Sequence, residues 1–339
     1  MDNEAFRKYG HEMVDWMADY FENVREYPVK PNIEPGSIFQ QLPDAPPADT
    51  ESMQEIFEDF KEVIIPGMTH WQHPGFHAYF PANSSKPSVL AEMLTATLGA
   101  QCMLWATSPS AAELEDQMMI WLQQMLGLPK DWFGSIQNGA SDATFNALLS
   151  AREQKSERKI NFEGFAHNRF RVYCSEQAHS STDKAVAMSG IGRNNLIKIP
   201  VDENFAMRAD KLAEQISNDE ANGFIPLMVV SAMGTTGSTA VDPLQEIAEI
   251  THAKGIWLHV DAALAGSALI LEDMRWMSEG LEMADSFVFN PHKWLFTNFD
   301  CSAYFVKDKN ALLSTFSIDP EYLKTKEDAL VNNYRDWGM

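Results

Sequence analysis

Apolar positions near the start of the chain fall at helical intervals. Phe6, Tyr9, Met13, Val14, Met17, Tyr20, Phe21 and Val24 recur mostly three or four apart, which predicts a helix over residues 2–24. Its stripe is too apolar to stand alone in water, so it must dock on the body of the protein or on another subunit. Residues 25–49 then carry Pro28, Pro31, Pro35, Pro43, Pro46 and Pro47. Proline fixes φ and donates no hydrogen bond, so an extended wrap is expected here. Met53, Ile56, Phe57, Phe60, Val63 and Ile64 mark a second helix, stopped by Pro66-Gly67. Residues 87–106 read as a nearly continuous apolar helix, hence a buried one. Ser110-Ala111-Ala112-Glu113 reads as a capping box opening the next helix, which Gly127 and Pro129 end.

From residue 133 the rhythm changes. Short apolar runs predict strands at 133–137, 171–174, 195–200, 225–233, 257–261, 286–289 and 302–306. Helical patterns separate several of them, at 143–152, after Ser180-Ser181-Thr182-Asp183, at 208–218 and at 243–253. Such alternation calls for a mostly parallel sheet covered on both sides.

Two of these strands end in chemistry. Ser286-Phe287-Val288-Phe289 leads to Asn290-Pro291-His292-Lys293-Trp294, and Trp257-Leu258-His259-Val260 leads to Asp261. A lysine at the rim of a core is a better nucleophile than one in water, and it can condense with an aldehyde cofactor. Ligands of open α/β sheets sit at the carboxyl ends of strands. A lysine and an aspartate at two strand ends can therefore grip one flat ring, the aspartate holding a protonated ring nitrogen. Taken singly, Lys293 reads as an ordinary surface lysine.

Together with Gln177-Ala178-His179-Ser180-Ser181, these motifs resemble the pyridoxal-phosphate-dependent aromatic L-amino acid decarboxylases, from Phe6 to about Trp337. The resemblance implies an α/β fold: the large domain of a fold-type-I pyridoxal phosphate enzyme, with a mostly parallel seven-stranded sheet between helices and an N-terminal helical arm. It implies an arm over residues 1–82 packing across a homodimer, a cofactor-binding domain over 83–316, and a mobile catalytic loop from 317. Family members continue into a small C-terminal domain, which is expected to be missing here. Lys293, Asp261, His179 and Tyr322 are implied as catalytic residues. His179 and Ala263 would flank the cofactor ring, Ala140 and Ser141 would bind its phosphate, and Thr236, Asn290 and His292 would complete its site. Trp71, Tyr79, Phe80, Pro81 and Ala82 would line the substrate pocket, with Gln101 and Met103 contributed across the dimer interface.

The residues alone support parts of this. Asn138-Gly139-Ala140-Ser141 is a small-residue turn from strand to helix, which lets backbone N–H groups approach an anion, although small residues cap many helices. The family usually has glycine where this chain has Asn138, and asparagine tolerates left-handed φ better than most residues. The rings of Trp71, Phe76, Tyr79 and Phe80 suit either a pocket wall for a flat apolar substrate or an aromatic core loop. An aromatic wall disfavours an acidic amino acid as substrate, and Tyr322 favours an amine product over the aldehyde made by relatives with phenylalanine there. A truncated homologue without turnover is the remaining non-enzymatic reading.

Composition narrows the partners. Of 339 residues, 26 are Lys or Arg and 48 are Asp or Glu, a formal charge of −22, which disfavours nucleic acid and anionic membranes. Hydrophobic residues make up 45%, enough for a sizeable core. Cys102, Cys174 and Cys301 show no paired spacing, and Met1-Asp2-Asn3-Glu4 is no secretory leader, so a cytoplasmic location is expected. No metal site is expected: His70, His73 and His77 lack an acidic partner, and His252, His259, Asp261 and His292 form no compact ligand motif.

Overall fold

In the computed structural model, residues 1–80, 82–165, 169–318, 324, 326–327, 330–333 and 336–338 are described. The chain divides into two compact units, Met1–Ala82 and Asn83–Met339.

The first unit is built on α1 (Asn3–Asn23) and α2 (Met53–Asp59). Asp2 caps α1 through the Ala5 N–H, and Ser52 with Glu55 forms a reciprocal capping box on α2. Trp16 of α1 stacks on Tyr20 and meets Phe57 and Phe60 edge-on, so this unit is held by aromatic packing. Inside it Tyr20 Oη pairs with Nδ1 of the buried His70 at 2.9 Å.

The second unit opens with α3 (Lys86–Leu98) and α4 (Pro109–Leu126). It then alternates: β1 (Phe133–Gln137), α5 (Ala140–Lys155), α6 (Lys159–Glu163), β2 (Phe170–Ser175), α7 (Ser181–Met188), β3 (Leu196–Ile199), α8 (Ala209–Ala221), β4 (Ile225–Ala232), α9 (Leu244–Lys254), β5 (Trp257–Asp261), β6 (Ser286–Phe289), α10 (Pro291–Trp294), β7 (Ser302–Val306) and α11 (Lys309–Phe316). The seven strands form one sheet in the order β1-β7-β6-β5-β4-β2-β3. The pairs from β6 to β3 are parallel, and β7 runs antiparallel to both β6 and β1. Two reversals restore the direction, so β1 points the same way as β6, β5, β4 and β2. The carboxyl ends of all five lie along one edge.

Both faces of the sheet are covered, which is why its strands are apolar nearly throughout. Leu258, Val260, Phe287 and Phe289 pack with α4, α8 and α9 residues such as Leu122, Leu212 and Ile247. Trp257, Val288 and Tyr304 pack on the other face with Ala147, Val186 and Leu312 of α5, α7 and α11. Trp337 joins that second cluster at 2% exposure, although the sequence from 317 onward reads as polar and weakly periodic.

Three local expectations need correction. The apolar run 87–106 is not one helix. Gly99, at φ 57°, ends α3 in the left-handed conformation that glycine adopts without a Cβ clash, and a loop follows. Nor is that helix buried: Leu90, Leu94 and Leu98 are 53%, 67% and 78% exposed. The box at Ser110 is absent too. Pro109 occupies the first turn of α4, where its missing N–H costs nothing, so the helix begins one residue before Ser110.

Candidate active site

Five strand ends at the shared sheet edge carry the expected polar residues. Asp261 ends β5, paired in register with Ala232 and Val288. Side chains alternate along a strand, so Trp257, His259 and Asp261 all face α5. Burial pushes the Asp261 carboxyl above the usual aspartate range. The Ala263 N–H, donating to Oδ1 at 3.2 Å, and the nearby charge of Lys293 pull it back.

Lys293 lies in α10, four residues past β6. Burial lowers its proton affinity, and the Asp261 carboxylate opposes that shift. Its turn is pinned from several sides. Asn290 N donates to Ala263 O at 3.1 Å, and Asn290 Oδ1 accepts from Ser302 Oγ at 2.7 Å. His292 Nδ1 accepts the Cys301 N–H at 2.9 Å. Asn83 makes two further bonds, N to His292 O at 3.0 Å and Nδ2 to Lys293 O at 2.8 Å. In the sequence Asn83 carries no sign of this role: it lies 210 residues from Lys293, and a lone asparagine before a helix reads as a cap or a turn.

His179 follows β2 and is exposed, its Nδ1 held by Ser181. Thr236 is exposed in the turn after β4. The preceding Gly234 stands at φ 84°, and a Cβ there would lie 2.8 Å from the Ala265 Cβ, so glycine is required.

At the end of β1 the chain turns through Asn138 and Gly139 into the 16-residue α5. Gly139, at φ 134°, takes the conformation that needs glycine, and Asn138 is not among the residues with positive φ. The substitution at 138 therefore imposes no backbone strain. No side chain caps α5, and a Cβ at Gly139 would meet nothing within 4 Å. The N–H groups of Ala140 and Ser141 thus border open space at the positive end of a helix dipole.

Beneath this edge sits His259, fully buried. Its Nε2 pairs with Thr144 Oγ1 of α5 at 3.1 Å, and its Nδ1 with Ser286 Oγ of β6 at 2.9 Å. Trp257 Nε1 donates to the same Ser286 Oγ at 2.9 Å. One imidazole thereby ties the helix beginning at Ala140, the strand ending at Asp261 and the strand leading to Lys293. With both ring nitrogens engaged, it has no lone pair to offer a metal. Desolvation drives its pKa down to about 3, so it is neutral at physiological pH.

The donor set fits the cofactor that the sequence resemblance implies. A half-buried amine of lowered basicity suits an aldehyde carbon. A buried carboxylate is stabilised by a cationic partner such as a protonated ring nitrogen. Uncapped helix N–H groups beside an empty glycine cradle suit a phosphate.

The remaining expected residues belong to other segments of the chain. Trp71, Tyr79, Phe80 and Ala82 belong to the first unit, where Trp71 stacks on Tyr79 at 5.8 Å and Tyr79 takes a φ of 56°. Gln101 and Met103 lie on the exposed loop after α3. Pro81 and Tyr322 lie outside the described residues.

Comparison with known proteins agrees with this chemistry. Residues 35–339 match the family described as the pyridoxal-dependent decarboxylase conserved domain. The chain is 43% identical to the aromatic-L-amino-acid decarboxylase of Mus musculus, over 100% of this chain and 73% of that protein. It is 42% identical to the phenylacetaldehyde synthase of Arabidopsis thaliana, over 100% of this chain and 71% of the relative. Its fold matches the crystal structure of Oryza sativa TDC with PLP and tryptamine at a TM-score of 0.95 and 32% identity, covering 100% of this chain and 71% of that one.

Proposed function

Because the chain belongs to the pyridoxal-dependent decarboxylase family, we propose that it removes the carboxylate of an aromatic L-amino acid as carbon dioxide and yields the amine. Pyridoxal phosphate dependence and the amino acid decarboxylase class come with the family. The finer choice of an aromatic substrate (dihydroxyphenylalanine, tyrosine, tryptophan or phenylalanine) is our reading. The observation that carries the chemistry to this chain's own residues is the meeting of Lys293, Asp261 and His179 beside the uncapped start of α5.

Bound there, the cofactor supplies an electron sink for the pair left on Cα when carbon dioxide departs. The protein does the rest. Lys293 Nζ is the amine that would hold the aldehyde cofactor covalently. Its lowered basicity keeps more of the amine in the nucleophilic form. Asp261 keeps a proton on the ring nitrogen. Ala140 and Ser141 receive the phosphate, with Thr236, Asn290 and His292 around the ring. His179 and Ala263 would flank the ring. Tyr322 is the proposed donor of the proton that Cα takes up. Trp71, Tyr79, Phe80, Pro81, Ala82, Gln101 and Met103 form the substrate wall.

A homodimer completes the proposal. Leu90, Leu94 and Leu98 recur every four residues on α3 and stand exposed, an apolar stripe that a second copy would cover.

The test is release of carbon dioxide from dihydroxyphenylalanine, tyrosine, tryptophan, phenylalanine and glutamate with pyridoxal phosphate present, with the organic product identified. Release from an aromatic member with formation of its amine is expected. Release from glutamate alone would overturn the substrate class, and an aldehyde product would overturn the reaction type. Lys293→Ala should abolish turnover.

A further inference from the structure

Among the described residues, His179 is held by hydrogen bonds at Nδ1 only. Its Nδ1 lies 3.2 Å from the Ser181 N–H and 2.8 Å from Ser181 Oγ. A backbone N–H can only donate, so Nδ1 is an acceptor. A neutral imidazole with Nδ1 accepting carries its one hydrogen on Nε2. Ser181 is well placed to impose this. It is the first residue of α7 and 5% exposed, so its position is set by the helix and the core rather than by solvent. The first N–H groups of a helix have no intrahelical acceptor. Here no side chain of the preceding Ser180 fills that need. The ring of His179 satisfies one of these donors, and in return the helix orients the ring.

We infer that Ser181 is a positioning residue for the proposed reaction: it locks His179 in the Nε2–H form, so the ring offers a hydrogen-bond donor at its one available nitrogen. This inference rests on reading His179 as part of the active site. It assigns the neutral ring a definite task. Nε2–H can hold an anionic or lone-pair-bearing group, such as the substrate carboxylate or an oxygen of the cofactor. It cannot abstract a proton through that atom. The hydroxyl of Ser181 adds a second donor to Nδ1, which opposes a flip of the ring that would exchange the two nitrogens.

The test uses the holoenzyme labelled with 15N-histidine, with His179→Gln identifying the His179 signals. Two-bond proton–nitrogen correlations should show hydrogen on Nε2 and a bare Nδ1. Ser181→Ala, which keeps the backbone donor but loses the hydroxyl, should lower kcat about 3- to 10-fold, as expected for one lost hydrogen bond, with the cofactor still bound. Ser181→Thr, which restores a hydroxyl, should recover most of that loss. Hydrogen on Nδ1 in the wild-type protein would overturn the inference. So would a Ser181→Ala variant that melts lower but turns over normally. Wild-type turnover by His179→Gln would instead overturn the reading of His179 as a site residue, and the role of Ser181 with it, whatever the spectrum shows.

Discussion

The buried His259 makes stability depend on pH in a way that one variant can isolate. Its folded-state pKa lies at about 3, against an ordinary value of 6.5. Between those values the unfolded chain binds a proton that the folded protein refuses. Stability is therefore present above about pH 6.5 and is lost as pH falls, by about 1.4 kcal/mol per unit. From pH 6.5 to 5 this group alone removes about 2 kcal/mol, a large share of the typical 5–15 kcal/mol. Asp242 acts in the opposite sense. Buried, and accepting the N–H groups of Ala232 and Met207, it titrates at about 6 in the fold, against an ordinary 3.8. The folded state takes up that proton first, so Asp242 adds stability as pH falls from about 6. The two slopes nearly cancel in the wild-type protein, and comparison with His259→Gln separates them. Glutamine keeps a donor and an acceptor but cannot titrate. The measurement is the urea unfolding free energy of both proteins at pH 7, 6 and 5. At pH 7 the variant should be less stable by about 2–4 kcal/mol, from imperfect bonds to Thr144 and Ser286. By pH 5 the gap should shrink by about 2 kcal/mol. A gap that stays constant from pH 7 to 5 would refute the assignment of a neutral, desolvated imidazole at this position.

Three further outcomes test other parts of the structure. Gly234→Ala should cost about 2–3 kcal/mol, from a left-handed φ and the contact with the Ala265 Cβ. Adding Ala265→Gly should recover only the contact, and calorimetric melting of both variants would reveal a full recovery if φ were unimportant. Asn83→Ala should lower kcat/KM about 3- to 10-fold by freeing the Lys293 carbonyl, and unchanged steady-state kinetics would show that this bond does not position the lysine. Leu94→Glu should convert the proposed dimer to monomer in sedimentation velocity, whereas a persistent dimer would move the interface away from α3.

The central sheet was legible because burial on both faces leaves its strands as short, nearly pure apolar runs. Each predicted strand is present within a residue or two, and Ser286–Phe289 and Ser302–Val306 match at both ends. Strand direction was harder. Only 12 residues separate β6 from β7, and the one helix among them, α10, has four. That is too little for a parallel crossover of the usual length, and the antiparallel pairing follows. The placement of β1 beside β7, the last strand, joins distant parts of the chain and has no local signal. The helix α3 misled for a different reason. An apolar surface left exposed has the same composition as one inside the core, so the pattern alone does not tell them apart.

The same distinction separates the readable site residues from the missed ones. Lys293, Asp261 and His179 stand out only as a set: Lys293 alone reads as a surface lysine, and its pairing with an aspartate at a second strand end is what asks for a chemical reason. Asn83, Thr144 and Ser181 do not stand out. Small polar residues at helix starts and turns are common, and their usual explanation is capping. Each nevertheless holds a backbone or ring atom of the site: Asn83 the Lys293 carbonyl, Thr144 the His259 Nε2, Ser181 the His179 Nδ1. Geometry links them. Because side chains alternate along β5, His259 must face the same helix as Asp261, and that helix is the one whose first turn has no side-chain cap. A residue chosen to anchor Asp261 from below thus also sets the height of the helix above it. The spacing His-x-Asp at the end of β5 is enough to tie the strand that carries the carboxylate to α5, with the imidazole kept neutral so that the buried link carries no charge of its own.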